Sequence, residues 1–328
     1  MTAPLATSHV LQHVIDAITP ASQASAEAAR SNVHGVGSTM LETLAATLAG
    51  AQHTPTPRLA RRTLVIAAGD HGCGDPGVSL GADHPTIVAA RAIADGYAAV
   101  CRLASAARAS LVLVDAGSRE PAHMPSIAIQ LGRGPSHDLL REPALTIVDA
   151  VLGLEAGIAL SLSLSETGLD LLAVGALGVG AEVASAALLG AVTQATSTSV
   201  GEPDAAAELA MVRGAALHGA SGLELLVHFG GSETAVLAGL ILGAASMNVP
   251  VILDGYATGA AALVAATFAP EVRGYLIAAH RGAFTMPAIV AHLGLTPIFE
   301  VGLGHGDGTG AAMLLSLVDQ LAAIAARG

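Results

Sequence analysis

Tryptophan is absent from the 328 residues, and aromatic side chains make up only 2% of them. A core without rings has to be filled by Ala, Val and Leu, and such small side chains let helices lie close on a sheet. Basic residues are scarce too: 14 stand against 26 acids, for a net charge of -12. With no basic cluster anywhere, that balance excludes a nucleic-acid-binding surface. Cysteine is nearly missing. Cys73 and Cys101 have no CxxC spacing, which excludes a disulfide framework and a zinc site, so both read as small apolar packing residues. The N-terminus, Met1-Thr2-Ala3-Pro4, lacks the basic start and long apolar core of a signal peptide.

What is present is apolar side chain (52% of residues) and glycine (38 residues). A mean hydropathy of +0.63 raises the question of a membrane span. The longest candidate, Thr234 to Leu253, contains Asn248 and Pro250 and has no Lys/Arg flanks. It divides better into a helix (235–246), a turn (248–250) and a buried strand (251–253). The expectation is therefore a soluble, cytoplasmic protein with one large α/β domain, or one plus a small accessory domain.

The glycines gather at the ends of apolar runs. The most concentrated stretch runs from Glu300 to Ala311 and places Asp307 among five glycines. An apolar run precedes it (297–299) and a helical one follows from Ala311, which predicts a strand, a glycine loop and a helix start. Such a loop brings backbone N–H groups close to a polar ligand. Asp307 is then either a cap on that helix or a carboxylate projected into a site.

Earlier in the chain, helical spacing covers residues 8–30, broken at Pro20, and 40–51. The first strand (64–68) ends in Gly69-Asp70-His71-Gly72, followed by the turn-forming residues through Ser79. Asp70, His71, Asp75, Ser79, Asp83 and His84 raise the idea of a metal, but no helical HxxxH-type spacing fixes a ligand set, and the stretch reads as turns. A helix (86–105) and a strand (110–114) ending in Asp115 follow, then an irregular stretch with Arg133, read either as an anion partner or as a solvated loop residue. After a helix (146–163), the strand 169–174 leads into Gly175-Ala176-Leu177-Gly178-Val179-Gly180 and a helix (183–192). That loop resembles a phosphate cradle without the dinucleotide spacing. A Ser/Thr-rich loop (193–203) and a helix (205–218) come next. The last third alternates strands and helices, with strands at 249–253, 274–279 and 296–299; the first two end in Asp254 and in His280. Alternating strands and helices, each strand closing on a polar group, predict a doubly wound, Rossmann-like parallel sheet.

From about residue 37 onward these blocks resemble the nicotinate-nucleotide:5,6-dimethylbenzimidazole phosphoribosyltransferase (CobT) family. The resemblance is carried by Ala68-Gly69-Asp70-His71-Gly72 with Gly77-Val78-Ser79, by Arg141-Glu142-Pro143-Ala144 and by Asp170 to Gly175. It continues in Gly230-Gly231-Ser232-Glu233, Pro250 to Tyr256, Ala279-His280-Arg281 and Gly306 to Ala311. It implies a large α/β domain (58–311) beside a small helical subdomain made from residues 1–50 and the C-terminal helix 312–328, assembled as a homodimer. The implied reaction displaces nicotinate from C1′ of nicotinate mononucleotide by a benzimidazole nitrogen, in cobalamin lower-ligand assembly. No metal or other cofactor and no nucleic-acid or membrane partner is implied.

The same resemblance makes Asp307 the base and puts Ser79 and His84 in the acceptor pocket. Gly175, Gly178, Gly180 and Arg133 fall near the nucleotide, and Asp70, His71, Asp254, His280, Gly306 and Gly308 complete the substrate-binding set. Several positions depart from the family pattern. Asp307 stands where the family has Glu, shortening the reach by about 1.5 Å. The family's Gly-Glu-Met-Gly-Ile-Gly-Asn-Thr-Thr is Gly175 to Val183 here, with Glu182 bringing a negative charge. Only traces of its Lys-Pro-Pro-Gly-Ser-Leu-Gly block remain near Gly37-Ser38, and its Arg-Gly-Thr-Gly segment is replaced around Gly201-Glu202-Pro203. Those departures leave two alternatives beside the family reaction: a non-catalytic paralogue acting as a partner subunit or ligand-binding protein, and a related transferase with a different nucleotide.

Overall fold

The computed structural model describes residues 8–33, 38–196, 203–301, 303–304 and 306–325. Gly37, Gly201, Glu202, Gly302 and His305, all within stretches singled out above, lie outside the described residues. Six strands form one sheet: β1 (Arg62–Gly69), β2 (Ser110–Gly117), β3 (Ile129–Gln130), β4 (Leu171–Leu177), β5 (Val251–Leu253) and β6 (Leu276–Ala278). Every pairing is parallel, in the order β3-β2-β1-β4-β5-β6. The chain therefore winds outward from β1 in one direction, returns to its other side at β4, and winds outward again. The crossover from β1 packs on one face of the sheet and that from β4 on the other, the arrangement in which a crevice opens beyond the strand ends.

The helices flanking the sheet are α1 (His9–Ala17), α2 (Gln23–Val33), α3 (Thr39–Ala51), α4 (Pro85–Ala94), α5 (Ala99–Ala106), α6 (Ile147–Thr167) and α7 (Ala181–Thr193). They continue with α8 (Ala205–Ala215), α9 (Gly222–Phe229), α10 (Ser232–Ser246), α11 (Tyr256–Phe268), α12 (Met286–Leu293) and α13 (Thr309–Ala325). Successive strand side chains point to opposite faces, so each strand feeds two cores. Val65, Ala67, Leu172, Val174, Val251 and Leu253 pack with α1 and with α6 through α12. Leu64, Ile66, Ala68, Leu171, Ala173 and Ile252 pack with α2 through α5 and with α13. Strands covered on both sides have no polar alternation, which is why they read as plain apolar runs.

Small side chains set the spacing of the helix layer. α6 offers Gly153 and Gly157 to α10, and α10 offers Gly239 and Gly243 in return. A Cβ on Gly157 would overlap the Val236 carbonyl oxygen, and one on Gly239 would overlap that of Leu154. The same device joins α7 and α8, where Gly214 lies on the Ala187 carbonyl. α6 is the one described helix long and apolar enough to cross a membrane by length and composition. Its Gly153, Leu154, Gly157, Ile158 and Ser161 are buried.

Three elements differ from the sequence reading. The helix expected over 86–105 is two helices, because Gly96 adopts φ +74° and the amides of Gly96, Tyr97 and Ala98 turn back onto Ile93 and Ala92. The strand expected at 296–299 is only a bridge between Phe299 and His280 beside β6; Pro297 has no N–H to give a ladder. β3, two residues long, is too short for any periodicity. The first strand and the last helix are joined by Arg62, which is buried, donates to the carbonyls of Ala107 (3.1 Å) and Leu315 (3.2 Å), and pairs with Asp319.

Candidate active site

A cleft of about 290 Å³ opens at the sheet reversal. Thr86 of α4 stands on one side, the Leu177–Val179 loop after β4 on another, and Tyr256 at the start of α11 and Asp307 complete the wall. The final glycine loop is folded so that Asp307 arrives there. Gly306 and Gly308 adopt φ +70° and +95°, conformations that side chains on Cβ disfavour. The Gly306 carbonyl accepts from the Ala176 amide (2.9 Å), and Gly308 packs so closely on β4 that a Cβ on Gly175 would lie 2.6 Å from the Gly308 nitrogen. Asp307 Oδ1 accepts from the Thr309 amide (3.0 Å), a local turn at the head of α13. The principal cap of that helix is another residue, Asp254, whose Oδ2 accepts from Gly308 N and whose Oδ1 accepts from Ala311 N, both at 2.8 Å.

The opposite side of the cleft is organised by Asp70. Its Oδ1 accepts from the Thr86 hydroxyl (2.6 Å) and the Val179 amide (2.9 Å), and its Oδ2 accepts from the Arg119 amide (2.8 Å). One buried carboxylate thus ties the loop after β1 to α4, to the segment after β2 and to the loop after β4. Gly178 lies directly on the Gly69 carbonyl, and Gly180, at φ +87°, leads into α7. Beside them His71 Nε2 meets Glu233 Oε1 at 3.0 Å, with Ser136 Oγ 3.3 Å from Nδ1. Burial pulls the imidazole down, but the Glu233 charge and hydrogen bond, with Asp70 and Glu182 adding, carry it above its ordinary value. Burial pushes Glu233 up, and His71 and the Thr234 hydroxyl hold it below the ordinary carboxylate value. Each partner thus favours the charged form of the other, and Glu233 stands in the first turn of α10, where the helix dipole favours an anion.

The structure brings Asp307, Gly175, Gly178, Gly306 and Gly308 together at or directly behind the cleft wall. It places Asp70, His71, Asp254 and His280 behind that wall, buried, with the Asp70 and Asp254 carboxylates turned onto protein donors. His84 is buried at the head of α4, 3.8 Å from Asp70, and Ser79 is exposed on the loop before it. Arg133 lies apart, ion-paired with Asp149 in a separate polar cavity that also holds His137 and Ser232. Among the described residues no group of three or more His, Cys, Asp or Glu is arranged to hold a metal ion.

Sequence reasoning did not single out Thr86 or Tyr256 for the wall. Tyr256 stands edge-on to Phe284 (ring centroids 5.9 Å apart), and burial first, then Glu182, pushes its hydroxyl up to about 12. It is uncharged at neutral pH. Its signal was available: it follows Asp254-Gly255 immediately after a strand, where open parallel sheets place their ligand contacts. Glu182, in the first turn of α7, also raises Cys73 and His71, so its field reaches the Gly178–Gly180 end of the cleft.

Comparison with known proteins agrees with this architecture. A family model described as phosphoribosyltransferase, DBI_PRT, matches residues 15–327. A nicotinate-nucleotide--dimethylbenzimidazole phosphoribosyltransferase of Roseiflexus sp. (strain RS-1) is 38% identical over 294 residues, covering 84% of this chain and 82% of the relative. The one from Desulforudis audaxviator is 34% identical over 97% of this chain and 95% of its own length. The crystal structure of CobT from Thermus thermophilus superposes with a TM-score of 0.78 at 29% identity, covering 97% of this chain and 95% of that one. With its fold, its ordered loop motifs and nearly its whole length matched, the chain belongs to the DBI_PRT phosphoribosyltransferase family.

Proposed function

We propose that this cleft transfers the phosphoribosyl group of nicotinate mononucleotide to 5,6-dimethylbenzimidazole or a related base, giving α-ribazole phosphate and nicotinate. The observation that carries the reading is Asp307, which lines the cleft together with the Leu177–Val179 segment on a glycine loop that resembles the family's. In this reaction a ring nitrogen of the acceptor attacks C1′ and a new C–N bond forms. The C1′–nicotinate bond breaks, and its electron pair returns to the pyridinium nitrogen, neutralising it. Asp307 takes the proton from the acceptor's other ring nitrogen. The leaving group already carries the positive charge, so the protein's part is to align two rings and receive one proton.

The test is direct. Incubation with nicotinate mononucleotide and dimethylbenzimidazole releases free nicotinate, and Asp307→Asn slows that release by about 10²–10⁴-fold, the usual worth of a positioned proton acceptor. No release with benzimidazole, purine or phenolic acceptors overturns the reading. One observation favours a related transferase with another donor: Glu182 sets a negative field beside the loop amides that an incoming phosphate would use. Release from a different nucleotide, faster than from nicotinate mononucleotide, identifies that case.

Beyond the chemistry, we propose a cytoplasmic homodimer acting on small soluble substrates. Support for the dimer comes from α6, which leaves Val148, Leu152 and Leu162 at 63%, 42% and 43% exposure along the side away from α10. A small helical unit from residues 1–50 and 312–328, beside the α/β body of 58–311, is supported by the cluster that α2 and α3 share with α13.

A further inference from the structure

Asp254 was expected to contact substrate, yet it is 1% exposed and both of its oxygens are taken by backbone amides. Those amides belong to Gly308 and Ala311, which bracket the segment that follows Asp307. Asp254 is itself held: its own N–H donates to Thr258 Oγ1 (3.0 Å), and that hydroxyl donates to the Gly255 carbonyl (2.9 Å). From the end of β6, His280 comes within 3.4 Å of Asp254 Oδ1, and a Cβ on Gly310 would overlap the His280 ring. The final loop is thus gripped from β5 by a bidentate carboxylate and from β4 by the Ala176 amide, while the His280 ring, with neither nitrogen hydrogen-bonded, packs against Gly310 from beyond β6.

We infer that Asp254, backed by His280, is a positioning residue for the transfer: it fixes the Gly308–Ala311 backbone and thereby aims the Asp307 carboxylate into the cleft. The inference rests on the reading of Asp307 as the proton acceptor. Its physical basis is that two hydrogen bonds from one carboxylate to amides of the first turn of a helix leave that start a single orientation. A reacting group displaced by about 1 Å loses about 10²-fold in rate. Asparagine at 254 keeps the size but has one acceptor oxygen, so one of the two amides loses its partner.

The experiment uses the full chain. In Asp254→Asn, kcat falls about 10²-fold while KM for both substrates stays within about threefold, because the loop is mis-aimed and the pocket is intact. In the double variant with Asp307→Asn, the second substitution adds nothing: the double is no slower than Asp307→Asn alone. Losses that multiply, or a rise in KM with kcat unchanged, overturn the inference. Gly310→Ala, whose added carbon would lie 2.6 Å from Asp254 Oδ1 and press on the His280 ring, disturbs the same grip while leaving the Asp254 carboxylate in place. It gives the same loss of kcat and serves if Asp254→Asn folds poorly, and full activity of Gly310→Ala also overturns the inference. Hydrogen exchange provides a readout independent of turnover. The Gly308 and Ala311 amides exchange faster in Asp254→Asn than in the unsubstituted protein, and unchanged exchange refutes the grip. If the unsubstituted protein releases no nicotinate, the phosphoribosyl-transfer reading fails, and the exchange result alone decides whether Asp254 holds the loop.

Discussion

Asp70, Asp254 and Glu233 have oxygens on protein donors, whereas Asp307 spends one oxygen on a local turn and lines open space. For the His71–Glu233 pair this has a pH consequence. His71 is raised in the folded state, so its contribution is complete below the ordinary imidazole value of 6.5 and is lost as pH climbs through the raised one. Glu233 is lowered, so its contribution is complete above 4.5 and is lost as pH falls through the depressed value. Urea midpoints measured from about pH 4 to pH 9 pass through a plateau and fall on both sides. Glu233→Gln removes the charge that raises His71 and leaves a buried imidazole pulled down by its burial; it costs about 3–5 kcal/mol and flattens the alkaline fall. A midpoint that stays level through the alkaline range counts against the charged pair. At this scale the sequence was informative about place and silent about direction. Asp70, His71, Asp254 and His280 were found because polar residues end apolar runs. Whether a carboxylate faces a ligand or a distant amide depends on Val179 and Arg119 for Asp70, and on Gly308 and Ala311 for Asp254. Those partners are far away along the chain, and no local pattern names them.

Among the elements, the aromatic-poor composition finds its explanation in paired glycines between α6 and α10. Each helix presents small residues four positions apart to the other's carbonyls, so the two backbones touch where Leu or Phe would hold them apart. Gly157→Ala and Gly239→Ala each place a methyl group in an occupied position and cost about 1–3 kcal/mol, read as a lowered Tm. Gly134→Ala, with nothing within 4 Å of the added carbon, stays within about 0.5 kcal/mol. Equal effects at Gly157 and Gly134 contradict the close-contact account. Existence and type were readable for the long elements, α6, α7, α10 and α11 among them, because each is longer than any strand and bounded by turn residues. The break at Gly96 was not: one glycine inside a helical pattern is compatible with continuation, and only its positive φ ends the helix.

For the molecule as a whole, the doubly wound parallel sheet was legible and the strand order was not. Buried strands such as Leu64–Ala68 and Leu171–Val174 are interchangeable as patterns, and their neighbours are chosen by how the crossovers pack. The order in turn sets the cleft between β1 and β4. The exposed side of α6 belongs to this scale as well. Leu152→Glu puts a charge in the proposed contact and converts the dimer to a monomer, measured by light scattering after gel filtration, with the monomer's helical signal unchanged. A single species of unchanged mass in the variant and in the unsubstituted protein removes α6 from the interface.

The glycine loop of Asp307 follows all six strands along the chain, yet its anchors lie at the ends of β4, β5 and β6. The loop is therefore held only where those three strand ends are in place. The sheet supplies docking points before the loop can use them, and a chain that has assembled only its strands has a crevice with one wall missing. Substrate has nothing to grip until α13 is seated on Asp254 and Asp319 has met Arg62. Ligands that bind this cleft therefore stabilise the folded chain by mass action over any form in which α13 is unseated. Ligand binding during refolding thus reports on the seating of α13 and its loop.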